Sequence, residues 1–271
     1  MPDNDSDMNP ACVRRHPYRS WTTLLAGLSL ATSQAVFAGS LADSVESVKA
    51  SVVAIGTMQY SRKPAGEFRG TGFAVADGRH VATSAHVIPE QVDTVAGEFL
   101  AVFVGSGPRV EARRARAQVI DRRRDLALLR FDGPSLEPLV VDAELRIREG
   151  DLYAFTGFPL GALLGMYPVT HTGIVSSITP VLVRAGDQAP LDITNARRSR
   201  SEFAVYQIDA TAYPGNSGSP LFDPDSGRVV GVINKVYVRE GGRDSPVEAP
   251  SGLTYAVPIQ HLQDLLPDPE Q

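Results

Sequence analysis

Gly72-Phe73-Ala74-Val75-Ala76-Asp77-Gly78-Arg79-His80-Val81-Ala82-Thr83 sets two apolar runs of strand length on either side of Asp77-Gly78. Glycine accepts the positive φ of a tight turn, so this stretch reads as an antiparallel hairpin. Outward from it, β-branched and apolar runs recur at 51–55, 100–104 and 126–131, each bounded by Gly, Asp or Pro. A second series follows at 152–155, 173–178, 204–208, 228–233 and 253–257. Regular strands without alternating helices disfavour a parallel α/β sheet. The expectation is an all-β chain of two antiparallel β-barrels, the first over about 44–135 and the second over about 150–257. Gly133, Pro134 and Pro138 mark the crossover between them. Only 258–266 reads as a helix, a short C-terminal one, with Pro258 at its start and Ile259, Leu262, Leu265 and Leu266 on one face.

Apolar residues make up 43% of the 271 and charged residues 21%, the balance of an ordinary globular protein. A net charge of -5 argues against a nucleic-acid partner, because phosphate binding needs a basic face. Arg14, Arg15 and Arg19 precede an apolar stretch that ends in Val36-Phe37-Ala38, so 1–38 reads as a secretory signal peptide cleaved after Ala38. The alternative is an uncleaved anchor, but Thr22, Thr23, Ser29, Thr32, Ser33 and Gln34 dilute the stretch, and no stable membrane anchor is expected. The mature chain, 39–271, is then periplasmic or secreted. The single cysteine, Cys12, leaves with the peptide, which removes disulfides, thiolate chemistry and cysteine-held metals. His80, His171 and His261 stand in no ligand spacing, so neither a metal nor another cofactor is expected.

The chemistry points to Tyr213-Pro214-Gly215-Asn216-Ser217-Gly218-Ser219-Pro220-Leu221. A serine between glycines, in a turn ahead of a strand, can project its hydroxyl while neighbouring N–H groups converge on one point. By itself the string is equally a surface turn. His86 ends the apolar run 81–85, where a histidine is often structural. Asp125 closes Asp121-Arg122-Arg123-Arg124-Asp125 immediately before Leu126-Ala127-Leu128-Leu129, and Asp121 is a rival acid in the same charged run. The order His, Asp, Ser is one of the orders in which a catalytic triad occurs.

Gly70-Thr71-Gly72-Phe73, Thr83-Ser84-Ala85-His86, Asp125-Leu126-Ala127-Leu128, Gly157-Phe158-Pro159-Leu160-Gly161, Thr172-Gly173-Ile174-Val175-Ser176, Gln207-Ile208-Asp209-Ala210 and Pro214-Gly215-Asn216-Ser217-Gly218 resemble, in order, the trypsin-like protease domain of the HtrA/Deg family. The resemblance implies a chymotrypsin-like fold of two six-stranded antiparallel β-barrels and a serine endopeptidase, here without the PDZ domains that family members usually carry. It further implies Ser217 as nucleophile, His86 as base, Asp125 as the acid that orients it, and the N–H groups of Gly215 and Ser217 as the oxyanion hole. The residue six before the nucleophile, at the pocket base in trypsin-like enzymes, is Thr211 rather than an acid. With Val232, Ile233 and Asn234 on the adjacent strand, the expected preference is for aliphatic side chains at P1. The expected partners are unfolded or extended polypeptides, and the expected role is envelope protein quality control or regulated proteolysis. Ser219 departs from the family's second glycine. The rival classes are an α/β-hydrolase, disfavoured by Ser219 and the chain order, and a latent or non-catalytic module that binds unfolded polypeptide.

Overall fold

In the computed structural model, residues 40–159, 165–180, 203–239 and 249–267 are described. The signal-peptide reading of 1–38, most of the apolar loop 160–167 and the Arg-rich loop 184–202 therefore lie outside the described residues. Chain order begins with a helix that strand periodicity does not announce, α1 (Leu41–Ser51). Its start is nevertheless written locally. The Ser40 side chain accepts the Asp43 N–H, and the Asp43 carboxylate accepts the Ser40 N–H, a reciprocal capping box that satisfies otherwise unpaired donors.

Twelve strands follow among the described residues: β1 (Val52–Met58), β2 (Gly66–Val75), β3 (His80–Ser84), β4 (Phe99–Val104), β5 (Glu111–Asp121) and β6 (Leu126–Phe131), then β7 (Leu152–Gly157), β8 (Val169–Pro180), β9 (Ala204–Asp209), β10 (Pro220–Phe222), β11 (Val229–Arg239) and β12 (Ala249–Pro258). They close two antiparallel barrels, ordered β1-β2-β3-β6-β5-β4 and β10-β11-β12-β9-β8-β7. The expected hairpin is the β2–β3 connection, where Gly78 has φ +74° and donates its N–H to the Val75 carbonyl. Two strands fall outside the runs expected from the sequence. β5 is an Arg- and Ala-rich run that buries only Ala115, so its extended form comes from pairing with β4 and β6 rather than from propensity. β10 is three residues long and opens on Pro220.

The last helix, α2 (Gln260–Gln263), is shorter than the expected 258–266 because β12 runs through Pro258. Its apolar face holds regardless. Ile259 and Leu262 are buried, and Leu265 and Leu266 pack on the same cluster.

That cluster is common to both barrels: Phe73 and Leu128 from the first join Phe158, Phe222, Val232 and Val257 from the second. Each barrel also keeps a core of its own, Ile55, Val81 and Leu129 in the first and Phe155, Ile208 and Leu221 in the second. A fully buried side chain of this size is worth roughly 1.5–3 kcal/mol, so the shared cluster supplies a substantial force holding the barrels together. The seam between them is where the chemistry-bearing residues gather.

Candidate active site

β3 ends at Ser84 and the chain turns through a 3-10 segment, Ala85–Val87, which presents His86. Asp125 lies alongside, one residue before β6, with φ +55°. That left-handed conformation is uncommon for a residue with a side chain, and Asp tolerates it better than most. Three bonds tie the two segments. The Asp125 carbonyl accepts the Ala85 N–H at 3.0 Å, Oδ1 accepts the His86 N–H at 2.8 Å, and Oδ2 meets His86 Nδ1 at 2.6 Å. The carboxylate assigns the proton to Nδ1 and leaves Nε2 as the imidazole's free lone pair. The His86 side chain remains 42% exposed while that of Asp125 is 19% exposed, so the acid sits beneath the base.

Asp121, the rival acid, is occupied elsewhere. Its carboxylate caps the following turn, accepting the N–H groups of Arg123 and Arg124 and the Arg124 guanidinium. Burial pushes its pKa up, but these donors outweigh it and the pKa is lowered.

Ser217 comes from the second barrel. Ahead of it, Asn216 N–H bonds the Tyr213 carbonyl at 3.0 Å across Pro214 and Gly215, and Gly215 has φ +101°. Proline first and a positive-φ glycine second is the pattern of a type II turn. A side chain at Gly215 would also strike the Phe158 carbonyl and the Phe68 ring, with its Cβ 2.4 and 2.7 Å away. The N–H groups of Gly215 and Ser217 donate to no partner among the described residues. The Ser217 hydroxyl donates to the Asn234 main-chain carbonyl at 2.9 Å. The seam therefore brings together a histidine–carboxylate pair, a serine and two unengaged amides, with the hydroxyl turned to the main chain of β11 rather than hydrogen-bonded to the imidazole.

Behind Ser217, Asn216 and Ser219 are wholly buried, and neither the Asn216 side-chain amide nor the Ser219 hydroxyl has a hydrogen-bond partner among the described residues. Gly157 lies against both. A Cβ on it would stand 2.1 Å from Ser219 Oγ and 2.8 Å from Asn216 Oδ1. In the sequence Gly157 stands within Gly157-Phe158-Pro159-Leu160-Gly161, where nothing local signals this contact, which joins residues far apart in the chain.

Of the expected pocket residues, Thr211 is half-buried just past the end of β9. Val232 and Ile233 are wholly buried, and their side chains belong to the cores. They meet the seam through the main chain: the Ile233 carbonyl accepts the Gly218 N–H at 2.7 Å and the Ser84 hydroxyl at 3.1 Å. Asn234 contributes the carbonyl on Ser217.

The other described histidines stand apart. His80 bonds Asp77 and Gln118, His171 stacks on Phe155, and His261 meets the edge of Phe203. Among the described residues no group of three or more His, Cys, Asp or Glu side chains could hold a metal.

Barrel closure, chain order and a serine turn at the seam define the trypsin-like class of peptidase. The chain belongs to that family: the profile of the trypsin-like peptidase domain matches residues 70–232. Among its relatives is a "probable periplasmic serine endoprotease DegP-like" of Halomonas elongata, 30% identical over 196 residues that make up 72% of this chain and 34% of the relative. The chloroplastic protease Do-like 1 of Arabidopsis thaliana is 28% identical over 192 residues, 70% of this chain and 36% of the relative. The trypsin-like domain is thus of the HtrA/Deg type. The chain spans about a third of the length of these relatives. The HtrA-type protease AlgW, solved with a tripeptide, shares the fold at a TM-score of 0.57 and 20% identity, covering 83% of this chain and 62% of its own.

Proposed function

We propose that the chain is a serine endopeptidase in which Ser217, His86 and Asp125 cut peptide bonds through an acyl-enzyme. The observation that carries this reading is the pair of hydrogen bonds from His86 to the Asp125 carboxylate at the same seam as Ser217. The Ser217 hydroxyl first leaves the Asn234 carbonyl and turns toward Nε2. Its oxygen then attacks the scissile carbonyl while Nε2 takes its proton, and the resulting oxyanion is met by the free N–H groups of Gly215 and Ser217. Breaking the C–N bond releases the amine with the proton returned from His86. A water activated by the same imidazole hydrolyses the ester and regenerates Ser217. Asp125 accepts from Nδ1 throughout, stabilising the imidazolium and preserving its orientation.

The substrates in this reading are unfolded or extended polypeptides, and the setting is the periplasm or the exterior, as for the relatives whose names place them in the periplasm. Among the described residues no helix is long and apolar enough to cross a membrane. Thr211 offers no fixed anion to a Lys or Arg, which supports an aliphatic P1 side chain.

The test is cleavage of casein by the chain from Gly39, with active-site labelling by a fluorophosphonate. Wild type should cut and label, and Ser217→Ala should do neither while keeping the wild-type circular dichroism. A folded wild type that neither cuts nor labels refutes the proposal. Peptides ending in Val or Ala at P1 should be cut faster than their Arg counterparts, and the reverse order would remove the P1 assignment alone.

A further inference from the structure

Thr71 lies on β2 of the first barrel and is wholly buried. Its N–H donates to the Ser217 carbonyl at 2.9 Å, and its carbonyl accepts the Thr83 hydroxyl at 2.6 Å. Its hydroxyl donates to the Gly215 carbonyl at 2.7 Å and accepts the Phe158 N–H at 3.0 Å. The two accepting carbonyls belong to the peptide groups on either side of the one that carries the Ser217 N–H. A glycine at Gly215 permits rotation that other residues would resist, so the direction of this turn must be held from outside. The second barrel supplies one such tie, the bond from Gly218 N–H to the Ile233 carbonyl.

We infer that Thr71 is a positioning residue, which holds the Gly215–Ser217 turn so that its amides point at the place where the oxyanion forms. The inference rests on the proposed protease reading, in which those amides are the oxyanion donors. It assigns a task to the side chain of a residue that touches no substrate and sits on the opposite barrel from the nucleophile. An aligned donor of this kind typically contributes 10²–10³ in rate, so loosening both at once without deleting either should cost about 10- to 100-fold.

Thr71→Val removes only the hydroxyl function, and Thr71→Ser restores it. In Thr71→Val, kcat for a cleaved peptide should fall by about 10- to 100-fold with KM within about threefold, and Thr71→Ser should return kcat to within about threefold of wild type. The Asn216 and Ser219 amides, bonded within the turn, should exchange with deuterium about tenfold faster or more in Thr71→Val, with no matching change at Leu128 in β6. Thr57→Val deletes another buried hydroxyl of the same barrel, one bonded to Glu98 at 2.6 Å, and reports loss of stability alone. Local loosening with a kcat loss absent from Thr57→Val supports the inference. Wild-type kcat in Thr71→Val, or a loss that Thr57→Val shares, overturns it. If wild type cuts nothing, the protease reading is what has failed, and unchanged exchange at Asn216 and Ser219 would still overturn the hold on the turn.

Discussion

Asp125 grips His86 at the ring and at the main chain, so replacing its charge without its shape separates the two bonds. Asp125→Asn can keep a contact to the His86 N–H through its amide oxygen, but it presents the ring with the wrong hydrogen-bonding partner. By analogy with the same exchange in trypsin-like triads, kcat should drop by about 10⁴ with the fold intact, read from peptide hydrolysis beside circular dichroism. At Gly157 the prediction concerns packing. Gly157→Ala drives a methyl group onto Ser219 Oγ and should cost about 1–3 kcal/mol by urea denaturation, part of which Ser219→Gly should recover in the double variant. Additive costs would show that the two residues do not press on one another. On the proposed reading, His86, Asp125 and Ser217 stand out in the sequence because each lies in a short string with local chemical logic. Thr71 and Gly157 were not readable as site residues, because what they do depends on partners more than fifty residues away that only barrel closure brings near.

Elements whose character is local were likewise readable, and those whose character is borrowed were not. The β2–β3 hairpin carries its own turn signal, whereas β5 is a strand by virtue of its neighbours, and α1 is marked only by its Ser40 and Asp43 cap, a signal that the reading of 258–266 as the sole helix leaves out. Ser40→Ala should therefore weaken α1 by about 1 kcal/mol, measured as a shift in urea midpoint for a chain that retains 39–271. The hairpin supplies a pH prediction. Burial of Asp77 works to raise its pKa, but the Arg79 N–H, His80 and Arg130 overcome this and bring it to about 2 from an ordinary 3.8. A lowered folded-state pKa adds stability above the unfolded value and loses it as the pH falls toward the folded one. Asp77→Asn should thus be less stable than wild type by a constant margin above about pH 4. The margin should shrink between about pH 4 and 2, with the other carboxylates cancelling in the difference. A margin unchanged by acid would contradict this account.

Over the whole molecule, the cluster joining Phe73 and Leu128 to Phe158, Phe222 and Val257 makes neither barrel's core complete without the other. Ala38–Gln271 accordingly forms one compact unit. Urea unfolding followed by circular dichroism and by tyrosine fluorescence should give coincident transitions, and residues 39–135 expressed alone should lack cooperative unfolding. Two separated transitions would show that the shared cluster contributes little. The pairing of barrels is the level at which sequence was least informative, since strand periodicity marks which residues face inward but not which barrel's interior they reach.

Because the imidazole and carboxylate belong to the first half of the chain and the nucleophile to the second, a polypeptide made from its amino terminus acquires them in that order. On the proposed reading, a half-made chain carries a base with nothing to activate. The last strands to emerge, β11 and β12, close the barrel that carries Ser217, so on that reading cutting power arrives only once the whole barrel pair has been synthesised and docked. An enzyme assembled across a seam in this way is its own safety catch during biosynthesis.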